Sequence, residues 1–290
     1  MKVAHIILAH KNPFQVERMI KRLSHPDVDC WLHIDKQSDI APFKSMFLLK
    51  NVHTVYPRVN AKWASYGIVQ AMLNGINAAM LTGTKYQYFS FLSGQDYPLR
   101  TPEAFLDYLQ EYEGYEFIGN RPCDETLENM IRVRRYYLND YSLPGKSLAE
   151  RVLNILLGPR KLPFEIRKGP QWMTITSGAA EYVLKVSQEN PRYVRFFKFT
   201  HAPDEFFVQT ILYHSPFRSK MMNGMFHHMD WSERKKSPKT FTIQDYRELE
   251  ASTQFFARKF DTQLDSVILD KLDERLNARL LQKNQLDVIE

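Results

Sequence analysis

Residues 3–23 read VAHIILAHKNPFQVERMIKRL. Val3 to Ala9 is a continuous apolar run rich in β-branched residues, which is typical of a strand buried on both faces of a sheet. Asn12 and Pro13 follow as a predicted N-cap and first helical position. Apolar residues then recur at helical spacing, at positions 16, 19, 20 and 23. The stretch therefore predicts a strand, a turn and a helix.

Strands and helices continue to alternate after this unit. Three further strands are predicted at Cys30–Ile34, Val52–Tyr56 and Tyr86–Leu92, with a helix over Tyr66–Met80. Such alternation predicts an α/β fold with a mostly parallel central sheet flanked by helices. Ligands of these sheets bind at the carboxyl ends of the strands. His10, Asp35 and the turn at residues 93–96 are expected to lie there.

The second half of the chain begins with a looser pattern at about residues 120–168. It contains the basic aromatic stretch RVRRYYLNDY, then SLPGK, then an amphipathic segment at Leu148–Leu157. We interpret it as a helical insertion or lid within a single domain of residues 1–290. The elements predicted beyond it are a strand at Gln171–Ile175, helices at Glu181–Val186 and Asp204–Tyr213, and a C-terminal helix within residues 262–290, strongest over Leu264–Leu281.

The composition is that of a globular protein, with 44% hydrophobic and 25% charged residues and a formal charge of +6. The basic runs at residues 132–135 and 234–239 suit phosphates, acidic glycans or an anionic membrane surface, or form only a solvated face.

Cys30 and Cys123 have no Cys or His neighbour at metal-ligand spacing, which argues against a disulfide framework and a zinc site.

The N-terminal apolar stretch is about half the length that a signal sequence needs. No segment approaches the roughly 20 apolar residues of a membrane span. We therefore expect a soluble cytoplasmic protein, and leave open a peripheral contact with the inner face of the membrane.

Several phosphate-binding motifs are missing from the sequence. The turn after the first strand is His-Lys-Asn-Pro, so it has neither the Walker pattern nor GxGxxG, which disfavours kinases, P-loop enzymes and Rossmann dehydrogenases. The only Asp-x-Asp, at Asp27 to Asp29, comes before a predicted strand instead of after one. We interpret it as structural and not as a metal-binding pair.

The stretch HAPDEFF at residues 201–207 places two carboxylates after a proline at a predicted helix start. Asp204 is suited to cap the helix and to interact with its dipole. Glu205 is expected among Phe206 and Phe207, where desolvation would raise its pKa toward that of a general base. From the residues alone a capping role is favoured over a catalytic one.

A second stretch, FFARKFD at residues 255–261, sets two adjacent cations among aromatic residues. Arg258 and Lys259 are suited to hold a diphosphate and to stabilise a departing nucleotide without a metal. The alternative is a surface ion-pair network beside Asp261.

Trp63 and Trp172 are candidates for stacking on sugar rings, or else pack in the core.

Seven segments occur in a fixed order along the chain: VAHIILAHK with IKRL, WLHIDKQS, RVNAKWASYGIVQA, YFSFLSGQDYPLRT, KGPQWMTIT, HAPDEFFVQTIL and FFARKFD. In this order they resemble the landmarks of the core-2/I-branching β-1,6-N-acetylglucosaminyltransferase family, which includes the peptide O-xylosyltransferases. The resemblance covers nearly the whole chain.

The resemblance implies a GT-A-like fold, inversion at the anomeric carbon, a UDP-sugar donor and no metal or other cofactor. It implies that Glu205 is the catalytic base, which reverses the preference for a capping role. Arg258 and Lys259 match the basic pair near the diphosphate, and Asp35 matches the acidic residue at the uridine. The remaining matches are His10 and Arg58 at the donor, and Trp63, Asp96, Gln171 and Trp172 at the acceptor or sugar.

The implied reaction transfers GlcNAc or xylose to a hydroxyl of a glycan or lipid-linked oligosaccharide, forming a β-glycoside. The membrane anchor, stem and disulfides of the animal enzymes are missing here, which implies a bacterial cytoplasmic role. The xylosyltransferases have an Asp where this chain has Gln171, which disfavours a peptide acceptor, although WSERKKSPKTF at residues 231–241 is closer to their branch.

Three alternatives belong to other functional classes. A catalytically silent glycan-binding or nucleotide-sugar-binding homologue predicts affinity without turnover. A nucleotidyltransferase would need a Gly-rich loop and metal-binding carboxylates after a strand. Nucleic-acid binding, which we do not expect, is suggested only by the charge and the RVRRYY stretch.

Overall fold

The computed structural model describes residues 1–287, with side chains to residue 278. Residues 288–290, the end of the predicted C-terminal segment, lie outside the described residues. The strands are β1 (Val3–Ala9), β2 (Val28–Ile34), β3 (Val52–Thr54), β4 (Tyr88–Ser93), β5 (Asp96–Pro98), β6 (Glu116–Phe117), β7 (Arg121–Pro122), β8 (Arg167–Lys168), β9 (Thr174–Thr176), β10 (Met221–Met222), β11 (His227–Met229) and β12 (Phe256–Arg258).

The α-helices are α1 (Pro13–Arg22), α2 (Tyr66–Leu81), α3 (Pro102–Glu111), α4 (Leu127–Arg134), α5 (Lys146–Leu157), α6 (Ser177–Glu189), α7 (Pro191–Phe197), α8 (Phe207–Tyr213), α9 (Tyr246–Ala251) and α10 (Val267–Asp287). Short 3₁₀ helices lie between them at Ala41–Leu48, Cys123–Glu125, Pro203–Glu205, Pro216–Lys220 and Ile243–Asp245.

Within residues 1–287 the central sheet has seven strands in the order β10-β6-β9-β4-β1-β2-β3. Strands β3, β2, β1 and β4 are parallel, β9 runs antiparallel to β4 and β6, and β10 is parallel to β6. The predicted mostly parallel central sheet flanked by helices is therefore confirmed, and it is the GT-A-like arrangement that the resemblance implies. A small sheet, β11-β12-β5, lies beside it, and β7 pairs with β8.

Side chains of β1 fill the core on both faces of the sheet. Val3 and Ile7 pack in the cluster that includes α1, α3 and α10, whereas Ala4 and Ile6 pack in the cluster that includes α2 and α6. This division follows from the twofold alternation of side chains along a strand. Helix α2 approaches closely at Gly75, where an added Cβ would lie 2.5 Å from the Cγ2 atom of Ile6.

Most predicted elements are present with shifted ends. The first strand has the predicted bounds, and the helix at residues 66–81 is one residue longer than predicted. The strand predicted at residues 171–175 is shorter and ends one residue later, at residues 174–176. The helix predicted at residues 204–213 is divided into a 3₁₀ turn at residues 203–205 and α8.

Two local predictions need comment. Asn12 and Pro13 occupy the predicted N-cap and first helical positions of α1, but the Asn12 side chain makes no capping hydrogen bond: its backbone is left-handed, and its amide nitrogen donates to Asp261 at 2.7 Å. The Asp-x-Asp does not precede a strand, because β2 begins at Val28 and includes Asp29. The carboxylate of Asp29 accepts a hydrogen bond from Tyr86 at 2.6 Å and pairs with Lys2 at 3.2 Å, so its role is structural as predicted.

The predicted insertion begins and ends at one place in the fold. Strand β7 pairs antiparallel with β8, so residues 121–122 and 167–168 are adjacent, and helices α4 and α5 lie between them. A role as a lid, like the division of the chain into domains, stays a prediction.

The C-terminal helix α10 is fixed to the N-terminal unit by charged and polar contacts. The guanidinium of Arg18 lies 2.7 Å from carboxylate oxygens of both Asp270 and Asp273, and the hydroxyl of Tyr97 donates to Asp273 at 2.6 Å. Within residues 1–287, no helix is both long enough and apolar enough to cross a membrane.

Candidate active site

A cleft of about 1070 Å³ opens at the carboxyl ends of β1, β2 and β4. His10, Asp35 and Ser93, which directly follow or end these strands, line it as predicted. Of the ten predicted site residues, eight line this cleft: His10, Asp35, Trp63, Gln171, Trp172, Glu205, Arg258 and Lys259. Arg58 and Asp96 are not among its lining residues.

Arg58 holds the loop after β2 in place. Its guanidinium donates to the backbone carbonyls of Ile34 at 3.0 Å, Asp35 at 2.7 Å and Ser38 at 2.5 Å. The carboxylate of Asp35 accepts from the backbone N–H groups of Gln37 and Ala61 at 2.8 and 2.6 Å. These bonds fix the wall of the cleft next to β2, so Arg58 supports Asp35 and does not face the cleft.

Arg258 is held from behind by a buried carboxylate. Nη1 of Arg258 lies 2.7 Å from Oδ1 of Asp96 and also contacts the hydroxyl of Ser93. Asp96 is fully buried and accepts from the backbone N–H of Ser93 at 2.7 Å. Burial alone would raise the pKa of Asp96, but Arg258 and a hydrogen bond from His227 outweigh it, so the pKa is lowered.

The indole of Trp172 lies under the same guanidinium, with the Arg258 Cζ atom 4.2 Å from the ring centroid. Its other neighbour is the imidazole of His227 at 5.5 Å, and the tryptophan is buried. Trp63, in contrast, is 62% exposed and touches His201 edge-on at 5.4 Å. Trp63 therefore has the free ring surface that stacking on a sugar requires.

Lys259 lies beside Arg258 in the cleft wall, and its amine is 3.3 Å from the hydroxyl of Ser237. Burial lowers the pKa of Lys259, and the Arg258 and Lys11 cations lower it further. The alternative of a surface network with Asp261 is wrong for this pair. That carboxylate binds Lys11 at 2.7 Å and Asn12 at 2.7 Å instead.

Glu205 was predicted to lie among phenylalanine rings, but its carboxylate instead lies between charged side chains. Its Oε2 atom is 2.9 Å from Nη2 of Arg132 and 3.7 Å from Nζ of Lys168, and the side chain is 33% exposed. Phe206 and Phe207 are fully buried, and the Arg132 guanidinium lies over the Phe206 ring, with its Cζ atom 4.8 Å from the ring centroid. This partly exposed carboxylate lines the cleft and is placed to accept a proton from a bound hydroxyl.

Asp204 does not cap a helix, which corrects the sequence-based interpretation. Neither the 3₁₀ turn at residues 203–205 nor α8 has a side-chain cap. The carboxyl group is buried, and within the described residues its Oδ1 atom has no hydrogen-bond partner. Burial, and to a lesser degree the neighbouring charge of Glu205, raise the pKa of Asp204 to about 7.

The cleft is strongly cationic. The Lys and Arg residues that line it number eight: Lys11, Lys62, Arg132, Lys168, Lys235, Lys236, Arg258 and Lys259. The lining carboxylates number four: Asp35, Glu128, Asp204 and Glu205. Such a concave surface concentrates anions. Lys239 is not among the lining residues, and its amine pairs with Asp245 at 2.5 Å.

Sequence reasoning missed the partners of Glu205. Arg132 belongs to a basic run that was weighed as a solvated face, and its approach to Glu205 depends on a backbone hydrogen bond from His201 N–H to the Arg132 carbonyl at 3.1 Å. No spacing rule brings residues 132 and 205 together. Among the side chains that the structure describes, those of residues 1–278, there is no group of three or more His, Cys, Asp or Glu arranged to hold a metal ion.

Comparisons with known proteins identify the family of the chain. The chain is 24% identical to xylosyltransferase 1 of Rattus norvegicus over 302 residues, which cover 95% of this chain and 35% of that protein. It is 24% identical to xylosyltransferase 2 of Canis lupus familiaris over 300 residues, which cover 95% and 34%. The chain thus spans about a third of the length of these relatives.

A solved structure of mouse xyloside xylosyltransferase 1, in its apo form, aligns with a TM-score of 0.39 and 9% identity, over 89% of this chain and 97% of that one. The family model described as "Core-2/I-Branching enzyme" matches residues 3–253. The match covers most of the chain, including the cleft residues from Leu8 to Pro238. The chain therefore belongs to the Core-2/I-Branching enzyme family.

Proposed function

We propose that this chain transfers a sugar from a UDP-sugar to a hydroxyl of a glycan acceptor with inversion, without a metal, and with Glu205 as the base. The observation that carries the proposal is that one cationic cleft contains both the partly exposed carboxylate of Glu205 and the adjacent pair Arg258 and Lys259. A departing nucleoside diphosphate needs positive charge, and an attacking hydroxyl needs a proton acceptor.

In the proposed reaction the acceptor hydroxyl attacks the anomeric carbon of an α-linked UDP-sugar in a single displacement. Glu205 takes the hydroxyl proton as the new bond forms, and the bond to the diphosphate oxygen breaks on the opposite face. The negative charge of UDP is held by Arg258 and Lys259. The product is a β-glycoside.

The other residues of the site support these two groups. Asp96 orients Arg258 from behind, since the two side chains share a buried ion pair at 2.7 Å. Arg58 fixes the loop that carries Asp35, which we assign to the uridine. Trp63 and Gln171 line the part of the cleft that we assign to the acceptor.

The donor sugar is proposed from the relatives. Both relatives are named as xylosyltransferases, so UDP-xylose is the first donor to test, followed by UDP-GlcNAc. The alternative is a homologue that binds the nucleotide sugar and does not turn it over. The experiment is a UDP-release screen over donor sugars, in which slow hydrolysis is the readout and no acceptor is needed.

Release of UDP from one donor by the wild-type chain, with loss in the Glu205→Gln and Arg258→Ala variants, is the expected result. Calorimetric binding of UDP-sugars with no release, even after a panel of glycan acceptors is added, would identify a silent homologue. Absence of both binding and release would contradict the proposed donor class.

A further inference from the structure

Helix α5 presents its apolar side to solvent. Leu148, Val152, Ile155 and Leu156 recur at the spacing of one helix face and are 67, 45, 70 and 76% exposed. We name these four residues the α5 apolar face. In an ordinary surface helix such a stripe faces the core. A contiguous apolar patch that stays exposed is typical of a surface that binds a partner or a membrane.

The polar side of α5 is the one bound to the rest of the chain. Glu150 accepts a hydrogen bond from the backbone N–H of Leu138 at 2.8 Å. The amide of Asn154 accepts from the N–H of Tyr136 at 2.8 Å and donates to its carbonyl at 2.9 Å. These bonds fix the orientation of the helix, so the apolar face cannot turn inward without breaking them.

Positive charge borders this face, on α5 itself and at its C-terminal end. Arg151 lies on α5 between Leu148 and Ile155 and is exposed, as is Lys161 just beyond the end of the helix. The backbone N–H of Arg160 bonds to the carbonyl of Arg134 at 2.7 Å. This bond brings the exposed Arg134 and Arg135 to the C-terminal end of α5. In the described part of the chain none of these exposed cations has an ion-pair partner within 4.0 Å.

The two acidic residues between Arg134 and Lys161, Asp140 and Glu150, are engaged by backbone N–H groups. Asp140 accepts from the backbone N–H groups of Tyr66 and Gly67 at 3.2 and 3.0 Å, and Glu150 bonds to Leu138 as described. A groove of about 680 Å³ follows the C-terminal end of α5, and its charged lining residues are all cationic: Arg160, Lys161, Arg192 and Arg195.

We propose that the α5 apolar face, with its bordering cations, docks the enzyme on an anionic lipid bilayer. Exposed Leu and Ile side chains enter the boundary between headgroups and acyl chains, while Arg and Lys side chains attract the lipid phosphates. A protein partner or a second copy would be expected to bury an apolar patch without requiring the unpaired cations at its border. The proposal does not depend on the identity of the donor sugar.

Docking at this place bears on how the cleft meets its acceptor. The segment that carries α5 is bonded to the rim of the cleft, because the side-chain amide of Asn139 donates to the Ala64 carbonyl at 2.9 Å. Ala64 lines the cleft next to Trp63. A lipid-linked acceptor held in the same bilayer would therefore be delivered near the rim.

The test is flotation of the full chain with vesicles of phosphatidylcholine alone or mixed with phosphatidylglycerol. We expect binding to the mixed vesicles, weakened by added salt, and little binding to phosphatidylcholine alone. The variant Leu148→Gln with Ile155→Gln and Leu156→Gln should lower binding at least about tenfold. The matched control is Leu48→Gln with Leu81→Gln and Leu264→Gln, which changes exposed leucines on other elements.

A second variant, Arg151→Gln with Lys161→Gln, should remove most of the salt-sensitive part of binding. Thermal unfolding of every variant checks that the fold is retained. Unchanged binding in the α5 variant, or no binding of the wild-type chain to anionic vesicles at low salt, overturns the proposal. So does a lipid-free wild-type dimer that the α5 variant converts to a monomer, because the face would then bind a second copy.

Discussion

Asp96 and Arg258 are paired twice, by backbone and by side chain. They are partners in the antiparallel ladder between β5 and β12, and their side chains meet at 2.7 Å with the carboxylate fully buried. The ladder places the two Cα atoms, and the ion pair then fixes where the guanidinium points.

Asp96→Asn should therefore weaken UDP binding although Asp96 does not line the cleft. In a double-mutant cycle with Arg258→Ala, the two losses should be coupled by about 0.5–3 kcal/mol, since both changes disturb one pair. Calorimetric titration with UDP measures the cycle. Asp29→Asn, another buried carboxylate, is the control that lowers stability without touching the cleft. Fully additive losses would contradict a positioning role.

Replacing Arg258 or Lys259 by Ala should weaken UDP binding by about 1.5–3 kcal/mol, the value of a hydrogen bond to a charged group. Uridine, which lacks the diphosphate, should lose far less. The control is Lys21→Ala, which removes an exposed cation on α1. Equal losses for uridine and UDP would place these cations away from the phosphates.

Glu205→Gln should leave UDP affinity nearly intact and lower turnover about 10²- to 10⁴-fold, the usual contribution of a positioned general base. Steady-state transfer rates measured beside calorimetry separate the two effects. Glu128→Gln, which changes an exposed carboxylate lining the same cleft, should retain turnover. Near-normal turnover of Glu205→Gln would remove this residue from the mechanism and make Asp204 the next candidate.

Asp204 should make the protein less stable as the pH rises toward neutrality. Its folded pKa of about 7 lies above the unfolded value of about 3.9, so between these values the folded state binds more protons. The stability that it contributes is complete below about pH 4 and is lost as the pH rises through 7.

Denaturant unfolding at pH 5 and pH 8 measures this effect. The stability of Asp204→Asn relative to the wild-type chain should be higher at pH 8 than at pH 5, whereas exposed Asp124→Asn should show no such trend. Parallel pH profiles for the wild-type and Asp204→Asn chains would show that the Asp204 carboxyl is ionised throughout.

Transfer should survive thorough treatment with EDTA, and added manganese should not be required. The expectation comes from the cations that line the cleft, which supply the positive charge that a departing UDP needs. Asp96, the one carboxylate of the turn at residues 93–96, is occupied by Arg258 and is a poor cage for a hard cation, which prefers several oxygen ligands. A rate that vanishes on stripping and returns only with manganese would require Asp96 to be reconsidered as a ligand.

Sequence patterns predicted the sheet well because the signals for β1 and α2 are local. A seven-residue apolar run and a 16-residue helix can be recognised without tertiary contacts. The short strands β6 and β10, of two residues each, gave no such signal. Pairing with a neighbouring strand defines them, and no local pattern contains that information.

The site was predicted in part for the same reason. Residues at strand ends, such as His10 and Asp35, were located by the topology of a parallel sheet. The surroundings of Glu205 were not, because its two neighbouring phenylalanines turn into the core while cations 73 and 37 positions away in sequence reach its carboxylate. Contacts of such separation follow from the folded chain and not from spacing.

The position of β12 also has a consequence for synthesis. Its residues, 256–258, pair with β5 at residues 96–98, so the basic pair reaches the cleft only after the roughly 160 residues between these strands have been synthesised. A nascent chain that ends before β12 already has the strands that carry His10 and Asp35 but lacks Arg258 and Lys259. The growing polypeptide would therefore acquire the proposed affinity for a nucleoside diphosphate only when this long-range pairing closes, after residues 256–259 have been synthesised.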